Sequence, residues 1–105
     1  MAGVTFKNIT SNAILEVSAQ RINLEGVIFH NDDSGVRFLQ FFNSASGSIT
    51  LGSTTPVFTV QLPANTSQDF DFHNALFTTA LSVACTQTAT NDVGPTSVWV
   101  AIIHR

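Results

Sequence analysis

Arg37-Phe38-Leu39-Gln40-Phe41-Phe42-Asn43 is the stretch on which the fold of this chain turns. Apolar residues alternate through it, and they do so again in Pro56-Val57-Phe58-Thr59-Val60-Gln61-Leu62-Pro63-Ala64 and Gln68-Asp69-Phe70-Asp71-Phe72. Ser, Thr, Gly, Pro and Asn separate the three runs, which is the pattern of short antiparallel strands rather than helices. The first run is apolar on both faces. Leu39 and Phe41 point one way, while Phe38 and Phe42, with Gln40 between them, point the other. One face can join the chain's own core. The second needs a cover, and in a chain this small a neighbouring subunit is the expected one.

Working outward from this run, residues 12–17 alternate Ala13, Leu15 and Val17 inward. Residues 21–30 place Ile22, Leu24 and Ile28 on one side, with Val27 and Phe29 on the other. Asn31-Asp32-Asp33-Ser34-Gly35 is the strongest turn signal, predicting a hairpin between residues 21–30 and 36–43. Residues 44–55 read as a polar loop with a brief strand at Ser48-Ile49-Thr50-Leu51. The next strand, 57–62, sends Phe58, Val60 and Leu62 inward. After the turn at 63–67, residues 68–72 send Phe70 and Phe72 inward and keep Asp69 and Asp71 out. Residues 73–77 read as one helical turn or a bend, and 80–87 as a strand carrying Leu81, Val83 and Cys85. A loop over 88–96, broken at Asn91-Asp92 and Gly94-Pro95, leads to a closing strand at 97–104 that is also apolar on both faces. Seven or eight short strands spaced ~8–12 residues apart predict an all-β, single-domain antiparallel β-sandwich of jelly-roll-like form over residues 1–105. Residues 1–11 carry weak signals and read as an extended N-terminal arm.

Composition narrows the function. Hydrophobic residues make up 44% of the 105, so the chain can bury a core. Charged residues make up only 10%, against roughly 25% in average soluble proteins. So sparse a charged surface implies that much of it is covered in the working state. Net charge is −3, and the four basic residues, Lys7, Arg21, Arg37 and Arg105, form no stripe that could follow a phosphate backbone, so nucleic acid is not an expected partner. No run approaches ~18 apolar residues, so no membrane span is expected. Met1-Ala2-Gly3-Val4-Thr5-Phe6 lacks the basic start and apolar core of a signal peptide, which predicts synthesis in a cytoplasm. Cys85, the one cysteine, reads as a small buried hydrophobe.

Little in the sequence points to catalysis. A hydrolase needs a nucleophile beside a base that a third group holds. The available bases are His30 and His104 at strand ends, and His73. Asp69-x-Asp71-x-His73 puts two carboxylates and an imidazole on one strand face, the shape of a metal-site fragment. Alternation opposite Phe70 and Phe72 yields the same spacing as a plain solvated face. No catalytic residue, metal site or cofactor is therefore assigned. Asn8-Ile9-Thr10 and Asn65-Thr66-Ser67 match the glycosylation triplet as chance predicts in a Thr- and Ser-rich chain. Trp99, between Val98 and Val100, reads as a packing residue and, alternatively, as a platform for a sugar ring. The residues expected at an interface are Phe38, Gln40, Phe42 and Trp99.

Phe38-Leu39-Gln40-Phe41-Phe42-Asn43, then Thr54-Thr55-Pro56-Val57, Leu62-Pro63-Ala64 and Phe77-x-Thr79-Ala80-Leu81, resembles a family of small β-sandwich virion proteins of tailed bacteriophages. The likeness covers residues 37–105, with Ala80 where relatives more usually have Gly. It implies a virion protein on the capsid exterior. The closest fit to a short single domain is a capsid decoration, or cement, protein. Its implied partners are further copies of itself, as a dimer or trimer, and the major capsid protein. The first ~35 residues, outside the likeness, would be the shell-binding part. A tail-fibre or adhesin module binding host sugar is the alternative, and a small jelly-roll enzyme using His73 and its acids is a third.

Overall fold

The computed structural model describes residues 3–88 and 93–105. The Asn91-Asp92 break expected from the sequence lies outside these. Eight strands form among the described residues: β1 (Gly3–Ile9), β2 (Leu15–Ser18), β3 (Ile22–Asn31), β4 (Arg37–Phe42), β5 (Phe58–Leu62), β6 (Thr66–Phe77), β7 (Leu81–Thr86) and β8 (Val98–His104). They build two four-stranded sheets, ordered β1-β8-β3-β6 and β2-β7-β4-β5. Every pairing is antiparallel, and the pairs β1·β8, β2·β7, β3·β6 and β4·β5 nest inside one another. That nesting is the winding of a jelly roll, so the expected β-sandwich is the observed fold.

The core lies between the sheets. Leu24, Val27, Phe29, Leu39, Phe41, Leu62, Leu81, Val83, Val98 and Ile102 are buried there. Phe58, Val60, Phe70 and Phe72 pack against it from the rim, as alternation predicted for these residues. Phe41 stacks on Phe58 with ring centroids 4.6 Å apart and meets the edge of Phe72 at 5.4 Å. β7 is buried at all six positions, Cys85 included.

Several local expectations are corrected. β3 and β4 do not pair as a hairpin; they belong to opposite sheets. The connection is a corner because its polar groups turn inward. Asn31 Nδ2 donates to the carbonyls of Gly35, Leu62 and Pro63, and Asn31 Oδ1 accepts from the Asp33 amide. Asp33 in turn accepts from the Thr96 and Ser97 amides and from Arg37 Nε, at 2.8–2.9 Å. Residues 3–9 are not an arm, since β1 pairs with β8 over seven consecutive positions from Gly3↔His104 to Ile9↔Val98. Ser48-Ile49-Thr50-Leu51 is not a strand. A 3-10 turn occupies Ser46–Ser48, and Ile49 drops into a small second core. Residues 73–77 continue β6 rather than forming a helical turn.

Ile28, expected beside Ile22 and Leu24, faces outward instead. The register of β3 slips between Leu24 and Gly26 against both of its neighbours. Past that bulge Val27, Phe29 and Asn31 take the inward positions. Opposite it, β6 accommodates extra residues by placing His73 and Asn74 in the left-handed region, at φ 51° and 62°. Backbones approach closely there. A Cβ on Gly26 would lie 2.9 Å from the Phe70 carbonyl oxygen, so this position takes only glycine without displacement.

Candidate functional site

The two outer sheet faces differ, and the difference locates the candidate site. On the β2-β7-β4-β5 sheet, the outward positions of β4 were the expected subunit interface. Gln40 and Phe42 are instead buried within the single chain, and Phe38 is half-buried. Phe42 lies with Ala84 under Ile49, and Ile14 and Leu51 flank them. The covering segment is the long β4–β5 connection. It is held by Glu16 Oε1 accepting from the Ser46 amide at 2.8 Å and by Ser82 Oγ donating to the Ser44 carbonyl at 2.8 Å. Asn43 Oδ1 accepts from the Thr79 and Ala80 amides at its base. Gln40 Nε2 donates to Thr86 Oγ1 at 2.7 Å, which satisfies a polar group that burial would otherwise penalise. The sequence shows a polar, small-residue loop here. Only Ile49 and Leu51 within it signal a cover.

The outer face of the β1-β8-β3-β6 sheet has no such cover among the described residues. Register places its side chains in three rows: Asn8, Trp99, His30 and Ser67; Phe6, Ala101, Ile28 and Asp69; Val4, Ile103, Gly26 and Asp71. Val4, Phe6, Ile28 and Trp99 are four of the eight large apolar side chains exposed among the described residues, and Phe6 is 77% exposed. Trp99, read from the sequence as both packing and interface, is half exposed on this face. Acids stand along the β6 side, at Asp69 and Asp71, and at the β3 bulge, where Glu25 pairs with Arg105. Three rows on four strands span a projected area of about 400 Å². From Gly26 to Asn31 the strands pair without a break, so the face is a rigid plate, mostly apolar on β1 and β8 and acidic along β6.

The polar end of this plate carries a chain of hydrogen bonds. His30 Nδ1 meets Ser67 Oγ, and His30 Nε2 bonds Asp32 Oδ1 at 2.8 Å. The residue types are those of a serine-hydrolase triad, brought together from β3, β6 and the turn after β3. A catalytic triad relies on a buried, preorganised acid. Here the imidazole and the carboxylate are 46% and 53% exposed, so water competes for each bond. The contact orients the ring beside Trp99. In the sequence His30 reads only as a base at a strand end; Ser67 lies 37 positions away, and only the β3·β6 register joins them.

The other sequence candidates do not converge. His73 is turned out of the Asp69–Asp71 row by its left-handed backbone. Its Nδ1 is 3.7 Å from Asp71 Oδ1, with both side chains largely in solvent. Among the described residues no three His, Cys, Asp or Glu side chains approach as metal ligands would. His104 Nε2 is engaged by Thr5 Oγ1 at 3.0 Å. Burial pushes the Cys85 thiol up to about 12, so it is not a nucleophile in the folded chain. Burial would likewise raise the Asp33 carboxyl. The Thr96 and Ser97 amides and Arg37 outweigh it and hold that group below its ordinary value. Asp33 is thus a structural pin. No protein-family model, curated protein or solved structure matches this chain.

Proposed function

We propose that this chain is a non-enzymatic structural protein of a bacteriophage virion: an oligomeric capsid decoration protein that binds the outer shell and stabilises it. The observation that carries this reading is the bare plate of Val4, Phe6, Ile28 and Trp99 on a rigid sheet. The β1, β8 and β3 positions of this face carry no acid, Lys or Arg, which favours contact with another protein surface over an ionic ligand. The resemblance of residues 37–105 to small virion proteins supplies the class of partner. Stabilisation follows from mass action, since a ligand that binds only the assembled shell lowers the free energy of that state by RT ln(1 + [L]/Kd). The plate includes β1 and β3, so the first ~35 residues supply two of its four strands, and β8 and β6 supply the others.

The test is co-sedimentation with shells of the parent virus assembled without this protein, at low and high salt. Binding is expected to weaken only mildly with salt, because four scattered basic residues can form few ion pairs. Phe6→Ala and Ile28→Ala should each weaken it several-fold. Free major capsid protein should not bind.

One observation favours a second reading, a sugar-binding adhesin module. Trp99 is half exposed beside Asn8, His30 and Ser67, an aromatic platform ringed by polar groups. The fuller constellation that would favour it does not assemble at one loop end. Asp69 and Asp71 lie one and two rows away from Trp99, and Asn74 lies beyond the β6 bulge. Failure to bind shells together with clear binding to host glycans, abolished by Trp99→Ala, would replace the first reading with the second.

A further inference from the structure

The four edges of the sandwich are unequally protected. β6 carries Asp69, Asp71 and the bulge at His73 and Asn74. β5 has five residues between Pro56 and Pro63, and β2 has four with a broken register. Charges, bulges, prolines and shortness are the devices that stop a strand edge from pairing with another chain. β1 has none of these except Lys7. It runs seven residues in unbroken register with β8, contains no proline, and among the described residues forms backbone bonds to no other segment. Its Phe6, at the centre of the strand, is the most exposed large apolar side chain in the described structure.

We infer that β1 is a self-association edge: two copies pair β1 to antiparallel β1 across a two-fold axis at Phe6, joining two sheets into one of eight strands. The strand is complementary to itself in this register. All seven residues find partners, Gly3 opposite Ile9 and Val4 opposite Asn8 of the second copy. The two Phe6 rings face each other, and each Lys7 stands opposite Thr5. Centring on Lys7 would set like charges directly opposite. Area argues for the same occupant. The plate of one copy is about half of the roughly 800 Å² per partner that a standard interface uses. Edge pairing makes the two plates continuous and doubles it. This deepens the shell-binding reading, but the pairing is measured on free protein, so the two can fail separately.

Sedimentation velocity over a concentration series tests the pairing, with hydrogen exchange of the β1 amides alongside. The wild-type chain is expected to pass from monomer to dimer, its β1 amides gaining protection as it does. Thr5→Lys sets two lysine pairs across the axis and should raise the dimer dissociation constant about tenfold. Adding Lys7→Glu to that variant should restore it. Leu76→Ser, on the opposite edge strand β6, should leave dimerisation near wild type. Circular dichroism confirms that each variant is folded. A chain that stays monomeric at all concentrations, or that dimerises equally well with Thr5→Lys, overturns the inference. So does β1 protection that appears only on shells, because the edge then belongs to a shell strand. Monomers that still bind shells would leave the proposed function standing without this dimer.

Discussion

The outer faces of the two sheets began with the same problem and reached different ends. Each places large apolar side chains on its outer side: Phe38 and Phe42 on one sheet, Phe6, Ile28 and Trp99 on the other. On the first, residues 43–57 fold back and bring Ile49 and Leu51 over Phe42. The loop is long enough to return across its own sheet because β4 and β5 are adjacent partners. On the second, the connections leave for the opposite sheet, as jelly-roll winding requires, and among the described residues none returns over Phe6. A face covered by its own chain contributes to stability. A face left bare can contribute to binding.

Paired substitutions are the sharpest way to break this contrast. Phe42→Ala should cost about 3–4 kcal/mol in equilibrium denaturation, because it empties a covered site. Phe6→Ala should change stability by under about 0.5 kcal/mol. Equal losses at the two positions would mean that the faces are not different in kind.

The pin at the β3–β4 corner ranks next, because it ties the crossing between the two sheets to Thr96 and Ser97 ahead of β8, at a place distinct from both faces. Asp33→Ala removes three charge-assisted bonds and leaves Arg37 with the Val36 carbonyl but without its carboxylate, for a loss of about 2–3 kcal/mol. The folded pKa of Asp33 lies below its unfolded value. Its contribution is therefore complete above the ordinary carboxylate value of about 3.9 and disappears as pH falls through the lower folded value. Acid unfolding of the wild type should steepen in that window, and Asp33→Ala should flatten it.

The smallest expected effect is at Cys85, on the buried β7 beneath the covered face. With its thiol at about 12, roughly one molecule in ten thousand would be thiolate at pH 8. Native protein should resist thiol reagents and label only at the rate at which the sheet opens. Cys85 faces the core between the sheets, so prompt labelling would show that the sandwich itself opens readily and that the covered face is no firmer than the bare one.

Much of this fold was legible in the sequence. Strands β2 to β5, β7 and β8 fall within a few residues of the alternating runs, β6 runs on through 73–77 where a helical turn or bend was expected, and Phe58, Phe70, Leu81 and Val83 pack as their spacing implied. β1 was missed because Gly3-Val4-Thr5-Phe6-Lys7-Asn8-Ile9 alternates apolar residues outward, where Val4 and Phe6 signal a core that is not there. Ile28 was placed on the wrong side because a bulge at Glu25 shifts the alternation by one, and one residue is enough to exchange the faces of a strand.

The candidate site was less legible. Trp99 was singled out, but Phe6, Ile28 and Val4 join it only through pairings between strands that lie far apart in the chain. The sequence alone determined that the chain is all-β, which residues could face inward, and how little charge it carries, because a period of two and a composition are properties of neighbouring residues. The tertiary structure decided which strands share a sheet, and therefore which apolar face is bare. That depends on contacts such as Gly3 with His104, and Phe42 with Ile49. A local pattern states that a strand has two faces; only the rest of the folded chain can supply, or withhold, what covers the second.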